Sequence, residues 1–326
     1  MKQLKLSLVK GFQMSTELFS KSVPMLQIAW DSTSLGLLKT CPRKYQLKMI
    51  EHWSPKGERI HLDFGIMYHS SLEEYDKAKA LGADHEEGVQ AAVRHALEKS
   101  VNFIGTADPL SDVAQKKGNI KSRETLVRAI VWYLEHFKDD PAKTIILANG
   151  KPAVELSFKM ELPFSTPDGD QFIACGHLDR LVEFAENIYV LDRKTTGTTI
   201  SSNYYKQFNP NNQMSLYTLA SRIVLPKAAS GVIIDACQLA VGFARLHRGI
   251  ITKTQGQLDE WLKDFGVWLE RAESFARKEY YPMNDTACSM YGGCEFLDVC
   301  GNDSSIRHNI LSSNFEKMIW NPLIER

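Results

Sequence analysis

The stretch that decides the fold covers residues 154–194 and reads VELSFKMELPFSTPDGDQFIACGHLDRLVEFAENIYVLDRK. From 154 to 162 every second residue is apolar, and this period of two predicts a half-buried strand. The residues Pro167, Asp168, Gly169 and Asp170 are typical of a turn, and Asn187 predicts a second turn. Two further strands are expected at 172–184 and 188–194. Together the three segments predict an antiparallel meander.

Segments with helical spacing lie on both sides of this meander. Apolar residues three and four apart predict helices at 33–50 and 64–81, two more between 86 and 136, and others at 211–224 and 257–278. An apolar run predicts a fourth strand at 231–246. We therefore expect an α/β fold with a central mixed β-sheet flanked by helices. The sequence contains no repeats or linkers, so we predict a single domain over 1–326. Within it we expect a helical insertion at about 82–148, a catalytic core at about 150–250, and a C-terminal helix and cluster-binding region at about 257–303.

Composition narrows the class of protein. The 326 residues are 44% hydrophobic and 24% charged, as in ordinary globular domains. The 39 basic and 39 acidic side chains cancel, which leaves nucleic-acid binding open because such binding needs only a local basic surface. No apolar run is long enough for a bilayer and no secretory leader is apparent, so we expect a cytoplasmic protein. A phosphate-binding Gly-x-x-x-x-Gly-Lys-Ser/Thr loop is also absent from the sequence, which argues against an ATP-driven motor.

An acidic pair and a lysine stand at the ends of two predicted strands. Asp192 and Lys194 are two residues apart on one strand and share a face, and Asp179 belongs to the neighbouring strand. Carboxylates bind hard cations such as Mg²⁺ or Mn²⁺, which polarise a scissile phosphate and activate water. Taken alone, an Asp-x-Lys pattern at a strand end is more often a surface ion pair.

The surrounding motifs resemble those of the PD-(D/E)XK nuclease superfamily, in particular its RecB-like exonuclease branch. That branch has a Gly-x-x-Asp strand, here Gly176 to Asp179, and a strand ending in Asp-x-Lys-Thr, here Asp192 to Thr195. It also has an upstream metal-binding histidine, matched by His69, and a downstream Gln-x-x-x-Tyr motif, matched by Gln213 and Tyr217. Glu155 has a counterpart in the family, although a solvent-facing strand residue is an equal alternative.

The resemblance implies a restriction-endonuclease-like core and a Mg²⁺- or Mn²⁺-dependent deoxyribonuclease. Its metal would be held by His69, Asp179 and Asp192, and Lys194, Gln213 and Tyr217 would complete the catalytic set. The branch implies an exonuclease that acts on DNA ends or single strands in recombination, repair or phage-type DNA metabolism. Two alternatives stay open. One is a weakly active DNA-binding subunit that works with protein partners in a repair or adaptation complex, and the other is a restriction-type endonuclease.

Four of the six cysteines match a further feature of this branch. Some RecB-like nucleases, of the AddB and CRISPR-adaptation type, bind a [4Fe–4S] cluster through one cysteine before the core and three after it. Cys41, Cys288, Cys294 and Cys300 resemble that set. Five residues separate each downstream pair, whereas the family has two and then five. Zinc is the lesser alternative, and unrelated buried thiols are a third.

Overall fold

The predicted meander is present in the computed structural model of the chain, which describes residues 6–7, 18–57, 59–105, 120–225, 229–240, 242–290 and 293–325. The strands, in chain order, are β1 (Leu6–Ser7), β2 (Ala29–Trp30), β3 (Trp53–Pro55), β4 (Lys143–Thr144), β5 (Val154–Ser165), β6 (Gln171–Phe184), β7 (Asn187–Thr196), β8 (Gly231–Leu239), β9 (Ala244–Thr252) and β10 (Phe315–Lys317). The helices are α1 (Ser32–Thr40), α2 (Pro42–Tyr45), α3 (Ile60–Ala80), α4 (His85–Lys99), α5 (Arg123–His136), α6 (Ser202–Lys206), α7 (Asn212–Val224), α8 (Gln255–Arg277), α9 (Leu297–Gly301) and α10 (Ser304–Asn314).

The main sheet is mixed, which confirms the predicted α/β fold with a central sheet flanked by helices. Its strand order is β1-β5-β6-β7-β8-β9, and β2 and β4 also pair with β6. The β6–β7 and β8–β9 pairs are antiparallel, whereas β7 pairs with β8 in parallel. The parallel pair requires a crossover between β7 and β8, and helices α6 and α7 lie in that connection.

The chain forms two compact units. The first contains Met1–Gly57, Ser157–Gly176 and Thr254–Arg326, and the second contains Glu58–Leu156 and His177–Lys253. The single-domain boundaries stay a prediction.

The second unit packs helices against β7 and β8. A buried cluster joins α3, α4 and α5 to β8; its members include Phe64, Tyr68, Leu72, Ala92, Ala96, Leu126, Ile130, Cys237 and Leu239. The apolar stripe predicted on the helix at 64–81 is therefore the buried face of α3. Helices α4 and α5 match the two predicted between 86 and 136, and the part of the predicted insertion at 106–119 lies outside the described residues. Helix α7 packs on β7 and β8.

The first unit contains the long amphipathic helix α8. Thr254 and Gln257 form a reciprocal capping box at its start, and Leu258, Phe265 and Leu269 are buried along one face. The antiparallel pair β3–β10 joins a cluster that includes Leu47, Trp53, Phe296, Val299, Leu311 and Phe315. None of the helices in the described part of the chain is long and apolar enough to cross a membrane.

Two predicted elements are interrupted. The strand predicted at 231–246 is two antiparallel strands, β8 and β9, and the Ala240 N–H donates to the Phe243 carbonyl at 3.0 Å between them. A continuous apolar run has the same composition in one long strand as in a hairpin, so the turn was missed. The helix predicted at 33–50 breaks at Cys41, which is extended (φ −159°), because Pro42 lacks an N–H and begins α2. Residues Gln46–Ile50 then form a π-helical turn.

Candidate active site

The register of β6 and β7 brings the two predicted carboxylates to neighbouring positions. Arg180 lies opposite Leu191 in this antiparallel pair. Asp179 precedes Arg180 and Asp192 follows Leu191, so the two aspartates occupy the next pair of positions in the same register. The Arg193 N–H donates to Asp179 Oδ2 at 3.2 Å, which ties the Asp179 side chain to the backbone of β7. Asp192 and Lys194 share a face of β7, and Lys194 Nζ lies 2.6 Å from Asp192 Oδ2.

Asp192 is a fully buried carboxylate with few partners to offset the cost of burying its charge. Its exposed fraction is 0%, and its Oδ1 has no hydrogen-bond partner among the described residues. Lys194 provides an ion pair to Oδ2 only. Burial raises the pKa of Asp192 to about 6, and the charge of Asp179 adds to this while Lys194 opposes it. A buried oxygen without a partner costs free energy, and such groups are concentrated at functional sites.

His69 reaches the same carboxylates from α3. Its Nδ1 lies 3.3 Å from Asp179 Oδ2. Burial raises the pKa of Asp179, but the hydrogen bond and charge of His69, with the charge of Lys194, outweigh it and lower the pKa to about 2. The structure thus brings together four of the residues that the sequence singled out: His69, Asp179, Asp192 and Lys194.

Helix α7 presents the Gln213 and Tyr217 pair. Asn211 caps the helix by accepting from the Gln213 N–H at 2.9 Å, and one turn later Gln213 Nε2 donates to the Tyr217 hydroxyl at 3.0 Å. Burial raises the pKa of Tyr217 well above its usual range, and the charges of Asp179 and Asp192 raise it further. The Tyr217 phenol is therefore protonated and lies within electrostatic reach of both carboxylates.

Glu155 is buried rather than solvent-facing. It is 8% exposed and has a left-handed φ of 48°, which interrupts the side-chain alternation of β5. Its charge also contributes to the raised pKa of Tyr217. The solvent-facing alternative is thus wrong, because a period of two cannot reveal a local reversal of the backbone.

The donor types fit a hard divalent cation. Two carboxylates from the adjacent central strands β6 and β7 meet the imidazole of His69 from α3, and Asp192 Oδ1 has neither a hydrogen bond nor an ion pair to any described residue. As they stand, no three His, Cys, Asp or Glu side chains of the described ranges are grouped closely enough to hold a metal ion.

A network of arginines and aspartates, which the sequence did not suggest, supports the opposite face of β7. Arg193 Nη2 lies 2.6 Å from Asp76 Oδ2, and Arg180 Nη1 lies 3.3 Å from Asp76 Oδ1. Arg193 also stacks over the Tyr133 ring at 5.5 Å. Arg248 continues the network to Asp235 and to Asp140. These contacts fix the residue that stands between Asp192 and Lys194.

The four predicted cluster cysteines lie in the first unit, in short helices and turns. All six cysteines of the chain are free, and Cys175 and Cys237 are buried in the core. Cys41 stands at the break between α1 and α2, and its sulfur accepts from the Asn284 N–H at 3.4 Å. Burial raises the pKa of Cys288 and of Cys300, and in both cases Cys41 and Cys294 add to the shift. Cys41 and Cys294 therefore act electrostatically on Cys288 and Cys300, but the described residues contain no ready metal-ion site.

With this geometry in view, the chain can be assigned to a family. The family model of the PD-(D/E)XK nuclease superfamily matches residues 30–301, which is most of the chain. The chain belongs to this superfamily and is therefore a nuclease of the hydrolase class. A search of curated proteins found no match.

Proposed function

We propose that the chain is a metal-dependent deoxyribonuclease of the RecB-like branch that acts on DNA ends or single strands in recombination, repair or phage-type DNA metabolism. The observation that carries the proposal is Asp192, a buried carboxylate beside Asp179 and Lys194 with one oxygen lacking any partner among the described residues. Such an arrangement stores free energy that a bound cation would recover.

His69, Asp179 and Asp192 would hold Mg²⁺ or Mn²⁺. The bound ion would supply Lewis-acid chemistry, by polarising the scissile phosphate and lowering the pKa of a water molecule. Lys194 would approach the phosphate with its ammonium group and stabilise the negative charge that develops during hydrolysis. It is 26% exposed, so it can exchange its contact with Asp192 for one with substrate.

Gln213 and Tyr217 would orient the substrate strand. The Tyr217 hydroxyl accepts from Gln213 Nε2, so its own proton is available for donation. With its pKa raised by burial, the phenol keeps this proton at neutral pH and would donate it to a phosphate oxygen. Tyr217→Phe should therefore weaken binding or turnover without disturbing the fold.

The test is digestion of linear single-stranded, linear double-stranded and closed circular DNA in Mg²⁺, Mn²⁺ or EDTA. We expect cutting by the wild-type protein with either ion and none in EDTA, and its loss in Asp192→Ala. Glu183→Gln is the matched control because Glu183 is exposed on strand β6, which also carries Asp179. Undiminished cutting by Asp192→Ala would contradict the assignment.

The same digestion separates the alternatives. Release of mononucleotides or short products from linear DNA, with circles left intact, supports the exonuclease. Fragments of defined length from circles would support a restriction-type endonuclease, and binding without cutting would support a DNA-binding subunit. The Asp179, Asp192 and Lys194 arrangement favours the enzyme.

The second part of the proposal is that Cys41, Cys288, Cys294 and Cys300 bind a structural [4Fe–4S] cluster, with zinc as the lesser alternative. It rests on the resemblance and on the contribution of Cys41 and Cys294 to the raised pKa of Cys288 and of Cys300. Because the described residues contain no preformed ion site, the ligand set would form only when the cluster binds. Anaerobic purification with iron, zinc and sulfide analysis tests this. About four iron atoms per chain, lost in Cys294→Ser, are expected, and protein with neither metal would contradict it.

A further inference from the structure

A cavity of about 670 Å³ opens beside Lys194 in the second unit. Its volume falls within the range of roughly 300–1,000 Å³ typical of small-molecule sites. Thr195, Thr196, Thr198, Thr199 and Ser201 line it with hydroxyl groups. None of the described residues that line it is acidic, and Lys194 supplies a positive charge at one side. These groups suit an anionic ligand with many hydrogen-bond acceptors.

Tyr204 and Phe208 add an aromatic wall to the same cavity. Phe208 is buried and meets the Tyr204 ring at 5.5 Å and 69°, an edge-on contact that supports Tyr204 from one side. Tyr204 is half-buried. Its pKa is raised to about 12 by burial, by Tyr205 and by the charge of Asp192, so this ring lies within electrostatic reach of the acidic centre.

Strand β9 anchors the short helix α6 that carries Tyr204. The neighbouring Tyr205 hydroxyl lies 2.7 Å from His247 Nδ1 and 3.1 Å from the His247 carbonyl oxygen. The Tyr205 ring packs on Gly249, where a Cβ atom would lie only 2.3 Å from the ring. Tyr205 is therefore structural, and it fixes the helix so that Tyr204 is held at the cavity.

We propose that this cavity binds one unpaired nucleotide of the substrate strand, next to the scissile phosphate. The base stacks on Tyr204, and the hydroxyl groups contact the sugar and phosphate. Aromatic stacking of this kind is tolerant of sequence because every base has a π-face. A base still paired in a duplex has its faces covered by neighbouring bases, so the cavity selects single-stranded or frayed ends. This inference rests on the proposed nuclease function and names the substrate class for it.

The test uses short oligothymidylates that carry 2-aminopurine at successive positions from either end, titrated with protein in EDTA so that binding is measured without cutting. We expect quenching of the fluorescent base at one position. Tyr204→Leu should abolish this quenching and weaken binding roughly 5- to 140-fold, the equivalent of one stacked base. Tyr204→Phe should keep both the quenching and the wild-type binding affinity, because it retains the aromatic ring.

Tyr280→Leu is the matched control, since Tyr280 is an exposed tyrosine of the first unit. If Tyr204→Leu fails to fold by circular dichroism, Thr198→Ala and Thr199→Ala serve instead, because both residues are exposed at the cavity and should weaken binding without affecting the core. Equal quenching at all positions, or wild-type affinity in Tyr204→Leu or in both threonine variants, would overturn the inference.

The outcome is distinguishable from failure of the proposed function. If the wild-type protein cuts DNA and Asp192→Ala does not, the nuclease assignment stands whatever Tyr204 does. In that case Tyr204→Leu should raise KM for single strands and leave kcat almost unchanged, because stacking is present before and during the reaction. If the wild-type protein neither binds nor cuts any strand, both proposals fall.

Discussion

Two buried aspartates of the second unit, Asp192 within strand β7 and Asp76 on helix α3 beside it, have different charged partners. Each carboxylate oxygen of Asp76 pairs with a different arginine: Oδ1 lies 3.3 Å from Arg180 Nη1, and Oδ2 lies 2.6 Å from Arg193 Nη2. Asp192 has one lysine at one oxygen and a second carboxylate, Asp179, as a neighbour. Asp76 therefore stabilises the sheet, whereas Asp192 is held at a cost. The contrast shows that two buried carboxylates differ in electrostatic cost when their charged partners differ.

Arg193→Met should give the largest effect on stability. It leaves a buried carboxylate of Asp76 without its closest partner, and breaking a buried pair in this way costs about 3–5 kcal/mol. Chemical denaturation should show a lower midpoint. The double variant Arg193→Met with Asp76→Leu should recover part of the loss, because it removes the uncompensated charge as well. A wild-type midpoint for Arg193→Met would mean that the network is not structural.

Asp192→Asn should lower activity but raise stability, in contrast to the loss of stability expected for Arg193→Met. Activity should fall on the order of 100-fold or more, as for removal of a group that acts directly on the transition state. The pKa of Asp192 is raised to about 6, so the folded state binds its proton more tightly than the unfolded state and the ionised form costs stability above that pH. The variant should therefore melt at a higher temperature than wild type in EDTA at pH 8, with a smaller difference at pH 5. A large drop in melting temperature would contradict this.

Tyr133→Phe tests an uncharged residue of the arginine–aspartate network beside strand β7. The Tyr133 hydroxyl donates to buried Asp235, and hydrogen bonds to charged groups contribute about 1.5–3 kcal/mol. A loss of that size in the free energy of unfolding is expected. Tyr189→Phe is the control, because Tyr189 is also a buried tyrosine of the second unit and belongs to a different core cluster. Equal losses in the two variants would show that ring packing, rather than the hydrogen bond, is what matters.

Asp140 should give the smallest effect, visible mainly as a dependence on pH. Burial raises its pKa, but the hydrogen bond and charge of Arg248 outweigh this and the pKa is lowered. Its contribution to stability is therefore present above the unfolded pKa of about 4 and is lost as pH falls through the lower folded value. Asp140→Asn should destabilise the protein at pH 7, and the difference from wild type should shrink in acid. Asp139→Asn, at an exposed neighbouring position, should change neither the stability at pH 7 nor its dependence on pH.

The placement of the candidate site residues was predictable because they occupy regular elements. Asp192 and Lys194 share a face by the alternation of a strand, and Gln213 and Tyr217 share one by the helical repeat. Tyr204 was not predictable, because it lies on a five-residue helix whose position depends on Tyr205 and Gly249. Glu155 was misjudged for a related reason, since its left-handed φ breaks the alternation on which the prediction relied.

By itself the sequence determined the meander, the mixed α/β fold and the motif residues, since these follow from periodicity and spacing along the chain. Tertiary structure decided the rest. Only the packing of α3 and α5 on β7 pairs Arg193 with Asp76 and Tyr133, and only the β6–β7 register brings Asp179 to Asp192. The physical reason is that the pKa and reactivity of a buried charge depend on which groups far along the chain share its low-dielectric surroundings.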